Sequence, residues 1–434
     1  MVKEGYKEVR IGPKKELLPC SWEKSKIKDL LKIKSGYAFK SDDYVEDGIF
    51  MLRVTNINDN GEIKKGNGET KYLPEEYLKE YKKYQLENND ILLVMVGAST
   101  GKIGKVDNDI LPAILNQNMW NLKPKSDNLD KSYFYYSILK EINRFLSMKI
   151  GSARSYIKKG DFKKFEIPLP PLPEQKKIAS ILSSVDNSIE KTDEVIEKTK
   201  ELKKGLMQEL LTKGIGHSEF KEVRIGPKKV AIPKEWDLKT LDKIKNEIYA
   251  GGTPSRSKDE YFNGEIPWVK SGELNQNFIS NIEEKITKKA LDNSSAKIVP
   301  KNNVLVAMYG ATAGQVGYLT QEATTNQAVL AIIPNQDLID SMFLYYLLSK
   351  EMTRIVKQRQ QGTGQQNLSK TLITDMDIFV PPLEEQKKIA SILSSVDSKI
   401  QKEEEYKAKL EQLKKGLMQK LLTGEIRVNT EMEV

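Results

Sequence analysis

Thirteen consecutive residues, EQKKIASILSSVD, occupy positions 174–186 and return unchanged at 385–397, displaced by 211 residues. A chain that repeats itself over such an interval is built from copies of one unit, so the repeat is placed before any motif is read. KKGLMQ at 203–208 returns at 414–419, with LLT after each copy at 210–212 and 421–423, and KEVRIGPKK at 7–15 returns at 221–229. Between these anchors the halves diverge and share only a pattern. NNDILLVMVGASTGKIG (88–104) parallels KNNVLVAMYGATAGQVG (301–317), LNQNMWNLKP (115–124) parallels TNQAVLAIIP (325–334), and FYYSILKEINR (134–144) parallels LYYLLSKEMTR (344–354). Packing retains a hydrophobic pattern, not thirteen letters. Duplication accounts for how the copies arose; two equivalent docking sites for one partner, each beside a different reading head, account for what they do.

The constant segments read as helices. Residues 174–212 lack proline, and Gly205 is their only glycine. Ile178, Leu182, Val185 and Ile189 fall in alternating steps of four and three, and Ile196, Leu202, Leu206 and Leu210 extend the stripe with one slip of phase. The second copy has Ile389, Leu393, Val396, Ile400, Leu410, Leu413, Leu417 and Leu421. This is coiled-coil periodicity with charged outer faces. Pro170, Pro171 and Pro173 precede the first helix, Pro381 and Pro382 the second, and Gly214 and Gly424 mark the ends. Each helix is roughly 58 Å long at ~1.5 Å per residue. Two such stripes bury each other in an antiparallel coiled coil; the simpler alternative packs each helix on its own domain.

The regions between read as mixed α/β heads. The expected division is a first domain at 1–173, a helix at 174–213, a second domain at 214–384, a helix at 385–424 and a tail at 425–434. Each head opens with Pro-x-x-Trp, from Pro19 to Trp22 and from Pro233 to Trp236. Extended apolar runs lie at 49–54, 91–96, 265–270 and 304–309, helices at 133–146 and 343–356, and a polar loop at 151–157 or 362–368 precedes a last strand.

Composition then removes whole classes of chemistry. One cysteine, Cys20, excludes a disulfide framework and a cysteine-clustered zinc site. One histidine, His217, in the inter-repeat segment, reads as a surface residue and leaves no Ser-His-Asp machinery in any usual place. No apolar run approaches the ~18–20 residues of a membrane span, and MVKEGYKEVR lacks the apolar stretch of a signal peptide, so a cytoplasmic protein is expected. The net charge is +9, and residues 1–173 carry 31 basic against 24 acidic side chains. Such a surplus favours a polyanionic partner.

Several apparent catalytic motifs fail. Gly97-Ala-Ser-Thr-Gly101-Lys102 is one spacer residue short of a phosphate-cradling loop, Ile103 stands where Ser or Thr is required, and the parallel loop has Gln315 in place of Lys102. Its glycines read as a turn or a strand connection. Leu169-Pro170-Pro171-Leu172 is similar to the Asn-Pro-Pro-aromatic motif of adenine methyltransferases but lacks both the polar first residue and the aromatic that would stack a flipped base. The terminal loops suit nucleic acid better. Arg154, Tyr156, Lys158 and Lys159 crowd the first, and Arg359, Gln365, Gln366 and Asn367 occupy the second. Gln and Asn pair with the N6/N7 edge of adenine and Arg with guanine O6/N7.

With these elements in place, the chain resembles the specificity subunits of type I restriction–modification systems over residues 15–424. The resemblance rests on PLPEQ (171–175) and PLEEQ (382–386), the KKIASILSSVD…KKGLMQ…LLT helices, Gly-Gly-Thr-Pro-Ser at 251–255, GASTGKIG/GATAGQVG, and Asn-Gln at 116–117 and 326–327. It implies two target recognition domains joined by an antiparallel coiled coil with pseudo-two-fold symmetry. Each domain would read one half of a bipartite double-stranded DNA site. The helices would set the spacing and dock two methyltransferase subunits that methylate adenine N6 with S-adenosylmethionine, and restriction/translocase subunits would complete the complex. No cofactor, metal or catalytic residue is then expected in this chain. Further candidate DNA contacts are Arg53, Lys102, Lys105, Arg256, Lys258, Lys270 and Gln315. The first head has Ser35-Gly36-Tyr37-Ala38-Phe39 where the second has the Gly-Gly-Thr-Pro-Ser turn, so contacts do not transfer one to one. The alternative is a coiled-coil scaffold with two heads for ligands other than DNA.

Overall fold

The computed structural model describes residues 3–11, 14–66, 69–148, 156–225, 228–360 and 367–430. The chain divides into two compact units, Met1–Asp193 with Glu405–Val434, and Glu194–Glu404. Each holds one head and a portion of both long helices, Leu172–Lys213 and Leu383–Leu421. The division therefore falls inside the helices and not at their ends. The first helix starts at Leu172, two residues before the repeat, because Pro173 sits in its first turn, where its missing N–H has no helical partner to lose.

Within each unit the two helix portions run antiparallel. In the first, Lys414 pairs with Asp186 and Lys407 with Asp193, both at 2.6 Å. In the second, Lys203 pairs with Asp397 at 2.5 Å and Lys200 with Glu404 at 3.1 Å. The predicted stripe is mostly buried. Ile178, Leu182, Ile389 and Leu393 are fully covered, Val185, Leu210, Ile400, Leu410 and Leu421 nearly so, and Ile189, Leu206, Val396 and Leu417 partly. Two positions depart from it. Leu202 is 55% exposed and its counterpart Leu413 51%. The buried line along the first helix passes instead through Thr192, Ile196 and Thr199. The two threonine hydroxyls donate back to the Ser188 and Val195 carbonyls at 2.8 and 2.6 Å, which makes them acceptable inside. A hydrophobicity pattern cannot register buried threonines, and this is the origin of the phase slip.

The first head is a four-stranded antiparallel sheet in the order Leu31–Ser35, Met119–Pro124, Ile91–Val94, Ile103–Lys105, beside a three-stranded sheet in which Ile49–Leu52 runs parallel to Ala113–Leu115. The second head repeats this with Lys245–Ala250, Val329–Pro334, Asn303–Ala307 and Val316–Leu319, extended by Phe278–Ile279, and with Phe262–Val269 parallel to Ala323–Thr325. The predicted head helices are Lys131–Ser147 and Ser341–Gln360. The KEVRIGPKK repeats form β-hairpins, Tyr6–Ile11 with Lys14–Pro19 and Phe220–Ile225 with Lys228–Pro233. A short helix, Lys159–Lys164 or Lys370–Thr374, comes before each last strand, Glu166–Leu169 or Asp377–Val380.

The EQ of each helix start is a structural clasp. Gln175 accepts from the Asp130 amide at 2.9 Å and donates to the Pro170 and Asn128 carbonyls at 2.8 and 3.1 Å. Gln386 does the same with Asp340, Pro381 and Leu338 at 2.7, 2.8 and 3.0 Å. Glu174 accepts from the buried Trp22 indole at 2.8 Å and from Arg427 at 2.6 and 2.9 Å. Glu385 accepts from the Trp236 indole at 3.0 Å and lies 2.8 Å from His217 Nε2. His217 is thus a partly buried member of this clasp, not the surface residue expected, because the turn after the first long helix brings it against the start of the second. Its position is the one Arg427 holds after the second helix. Tyr136 donates to Asp186 at 2.6 Å and Tyr346 to Asp397 at 2.7 Å, which fixes each head helix to a long helix.

Candidate nucleic-acid interface

In each head the sheets deliver their loops to one edge. In the first head, Leu31–Ser35, Ile49–Leu52 and Ile91–Val94 end there, and Met119–Pro124 begins there. The Gly36 amide donates to the Met119 carbonyl, Asn116 to Leu52, Met95 to Asn118, and Ile157 to Met95, at 2.7–3.1 Å. The second head has the same stitching: Gly251 to Val329, Asn326 to Val269, Met308 to Ala328, and Leu368 to Met308, at 2.8–3.0 Å. Each rim thus gathers five chain segments. The expected glycine-rich motif is the hairpin turn beside it. Gly101 and Gly314 have φ near +93° and +86°, and a Cβ there would run into Leu146 or Val356 of the head helix.

The predicted contacts divide into three groups on this frame. Tyr156, 50% exposed and bridged to Val96, and the exposed Lys158 stand on the first rim, and the exposed Asn367 stands in the place of Tyr156 on the second. Arg154, Gln365 and Gln366 lie outside the described residues, as does the Arg359 side chain. A second group is tied to the protein's own acids, carbonyls and, for Lys258, a tyrosine hydroxyl. Arg53 bonds the Glu69 carbonyl, and Lys102 holds the Ile57 carbonyl at 3.1 Å and the Asp59 carboxylate at 2.9 Å. Arg256 lies over the Phe262 and Trp268 rings at 4.5 and 5.0 Å and pairs with Glu284, which also meets Lys270 at 3.3 Å. The Arg256 hydrogen bond, aided by Lys270, holds the Glu284 carboxyl below the usual carboxylate range. Lys258 donates to the Tyr261 hydroxyl at 3.0 Å.

The third group faces away. Lys105 pairs with Ile91, at the opposite end of its sheet from the rim. Lys159 donates to the Ile33 carbonyl at 2.9 Å, and desolvation lowers its pKa. Gln315 turns into a cleft of about 450 Å³ against Ser349, Thr353 and Val356, with its Oε1 buried and without a hydrogen-bond partner. Charge type identified these residues in the sequence, but strand direction decides which end of the sheet they reach.

Sequence reasoning missed residues that the rim does present. Tyr37 is 37% exposed and heads an aromatic group with Phe39, Tyr81 and Tyr84 at 4.9–5.1 Å. Tyr309 is 43% exposed on the second rim. Gln117 and Gln327, both exposed, follow Asn116 and Asn326. The repeated Asn-Gln dipeptide was the available signal. No cluster of His, Cys, Asp and Glu suited to a metal occurs among the described residues, and none of their helices is long and apolar enough to cross a membrane.

Comparison with known proteins agrees with this doubled architecture. The model of the type I restriction modification DNA specificity domain matches twice, over residues 19–200 and 233–412. The type I restriction enzyme MjaVIII specificity subunit of Methanocaldococcus jannaschii is 29% identical over 441 residues, covering 95% of this chain and 94% of its own length. The EcoBI specificity subunit of Escherichia coli is 24% identical over 431 residues, covering 94% and 86%. Among solved structures, the type I restriction–modification S subunit from M. genitalium superposes with a TM-score of 0.59 at 18% identity, over 92% of this chain and 96% of that one, a likeness of fold.

Proposed function

The chain belongs to the type I restriction–modification specificity subunits, the non-catalytic DNA-recognition components of their systems, and from that premise we propose that its two heads read the two halves of one bipartite DNA site. The observation that carries this reading is the rim built twice, with one hydrogen-bond stitching and different side chains. A common scaffold with divergent loops suits two different half-sites. Tyr156 and Lys158 position the first rim on phosphates, and exposed polar side chains supply the base contacts.

The two long helices set the gap and dock two methyltransferase subunits. Support comes from Leu202 and Leu413, exposed at equivalent places, with Gly205 and Gly416 one turn on and open space around both glycines. S-adenosylmethionine and the adenine-N6 chemistry belong to those partners, the translocating nuclease subunits join the same assembly, and the complex works in the cytoplasm. The domains act as reading heads over 1–173 and 214–384, beside the helices Leu172–Lys213 and Leu383–Leu421.

Co-expression with a type I methyltransferase subunit, followed by single-molecule mapping of N6-methyladenine, tests the reading. A bipartite motif with a fixed gap that vanishes when this chain is omitted is the expected result. A copurifying complex that leaves no new methylation overturns the reader role and leaves a scaffold.

A further inference from the structure

We infer that Gln117 and Gln327 are equivalent base-reading side chains, each taking the major-groove edge of an adenine in its own half-site. The inference rests on the heads being DNA readers. In the first head Tyr37 forms a parallel bridge with Asn116, the Tyr37 amide donates to the Leu115 carbonyl at 3.1 Å, and the Gln117 amide returns to the Tyr37 carbonyl at 2.8 Å. In the second, the Gly252 amide donates to the Thr325 carbonyl at 2.9 Å. The glycine before each contact is obligatory. A Cβ at Gly36 would overlap the Asn116 carbonyl, and one at Gly251 the carbonyls of Thr325 and Asn326. Two otherwise divergent heads thus keep the same close approach, and what it positions is the Asn-Gln dipeptide.

Local structure explains the asparagines. Asn116 Oδ1 accepts from the Gln117 amide at 2.6 Å, and Asn326 Oδ1 from the Ala328 amide at 3.1 Å, so each shapes its own turn. It does not explain the glutamines. Both are exposed, so packing does not demand them, and Gln327 accepts from the Thr253 hydroxyl, which holds its amide in one orientation on the rim.

Around this shared residue the rims differ. Where the first rim has Tyr37, Arg53, Val96 and Tyr156, the second has Gly252, Lys270, Tyr309 and Asn367 at the corresponding positions. The differing residues suit what differs between half-sites, and the shared one suits what they share. If adenine N6 is methylated in each half, both halves contain an adenine, read in the groove while it is stacked and before it is flipped to the methyltransferase. Its major-groove edge offers an N7 acceptor and an N6 donor, which one carboxamide matches with two hydrogen bonds.

The test maps methylation by the full-length chain in its methyltransferase complex, with Gln117→Ala and Gln327→Ala. Each substitution is expected to relax one adenine position in one half-site, cutting discrimination there about 5- to 150-fold, the equivalent of ~1–3 kcal/mol. The other half-site and the gap stay unchanged. Both variants methylating the parent motif with undiminished discrimination overturns the inference while leaving the reader role intact; a wild-type chain with no bipartite motif removes the reader role itself. Should a variant fail to assemble, the wild-type complex decides. Its affinity for duplexes carrying 7-deazaadenine at successive positions is expected to fall at one adenine in each half, and equal affinity at every position overturns the inference.

Discussion

Whether a positive side chain on a rim reaches DNA depends on what already holds it, and Glu284 is the sharpest instance. It pairs with Arg256 and Lys270 together, 22% exposed between them, and its single charge offsets one of their two, so the second rim offers less free positive charge than its lysines and arginines suggest. Because its folded pKa is depressed, its contribution to stability is complete above the ordinary carboxylate pKa. That contribution is lost as pH falls through the lower folded value, so the clamp is closed at neutral pH. Glu284→Gln keeps the shape and removes the charge. Nonspecific DNA affinity should rise, and the slope of log K against log salt should steepen by up to about 2, since each new phosphate contact adds ~0.9. Titrations at several salt concentrations check this, and an unchanged slope shows that neither cation faces DNA. The clasp carboxylates Glu174 and Glu385 have a different character. They sit at the first turn of a long helix, where a negative charge is favoured, and satisfy an indole that would otherwise be buried without a partner.

At the scale of elements, the long helices carry two kinds of leucine that look alike in sequence. Leu210 and Leu421 lie in cores, and truncating either to Ala should cost about 2–5 kcal/mol in denaturant unfolding. Leu202 and Leu413 are exposed, so Leu202→Lys and Leu413→Lys should each change stability by no more than about 0.5 kcal/mol. If these faces dock methyltransferase subunits, the double variant should copurify with fewer of them while its melting profile stays unchanged. Undiminished copurification moves the docking site elsewhere.

The contrast marks what the sequence discloses. The helices, their starts at paired prolines, the head helices and the central strands were all legible, since long periodic runs and proline punctuation are local signals. One stretch of the seam was not, because Thr192 and Thr199 are polar residues buried by satisfying their own hydroxyls. Nor was the rim. Lys105 and Lys158 are equally basic, and only strand order shows that the first lies at the end of its sheet away from the rim. His217 was misplaced for the same reason, since its partner Glu385 lies 168 positions away.

At the scale of the whole molecule, the doubled sequence makes spacing a testable property of helix geometry. An α-helix rises ~1.5 Å per residue and turns once in 3.6 residues, so four added residues advance it by ~6 Å and ~40°. B-DNA turns once in about 10–10.5 base pairs over 34–36 Å, or roughly 3.4 Å and 35° per pair. Four residues inserted in both helices, between Asp193 and Glu194 and between Glu404 and Glu405 where each helix passes from one unit to the other, should therefore enlarge the methylated gap by one to two base pairs. Both half-sites should stay as they were. Seven residues behave differently. They advance by ~10.5 Å but return to within ~20° of the starting angle, whereas three added base pairs would demand about 105°. Methylation should then fall steeply at every gap, although seven residues preserve the pattern of the seam better than four. Mapping N6-methyladenine for both insertions separates a ruler that must match the twist of DNA from a loose tether. A seven-residue variant as active as the four-residue one would establish the tether.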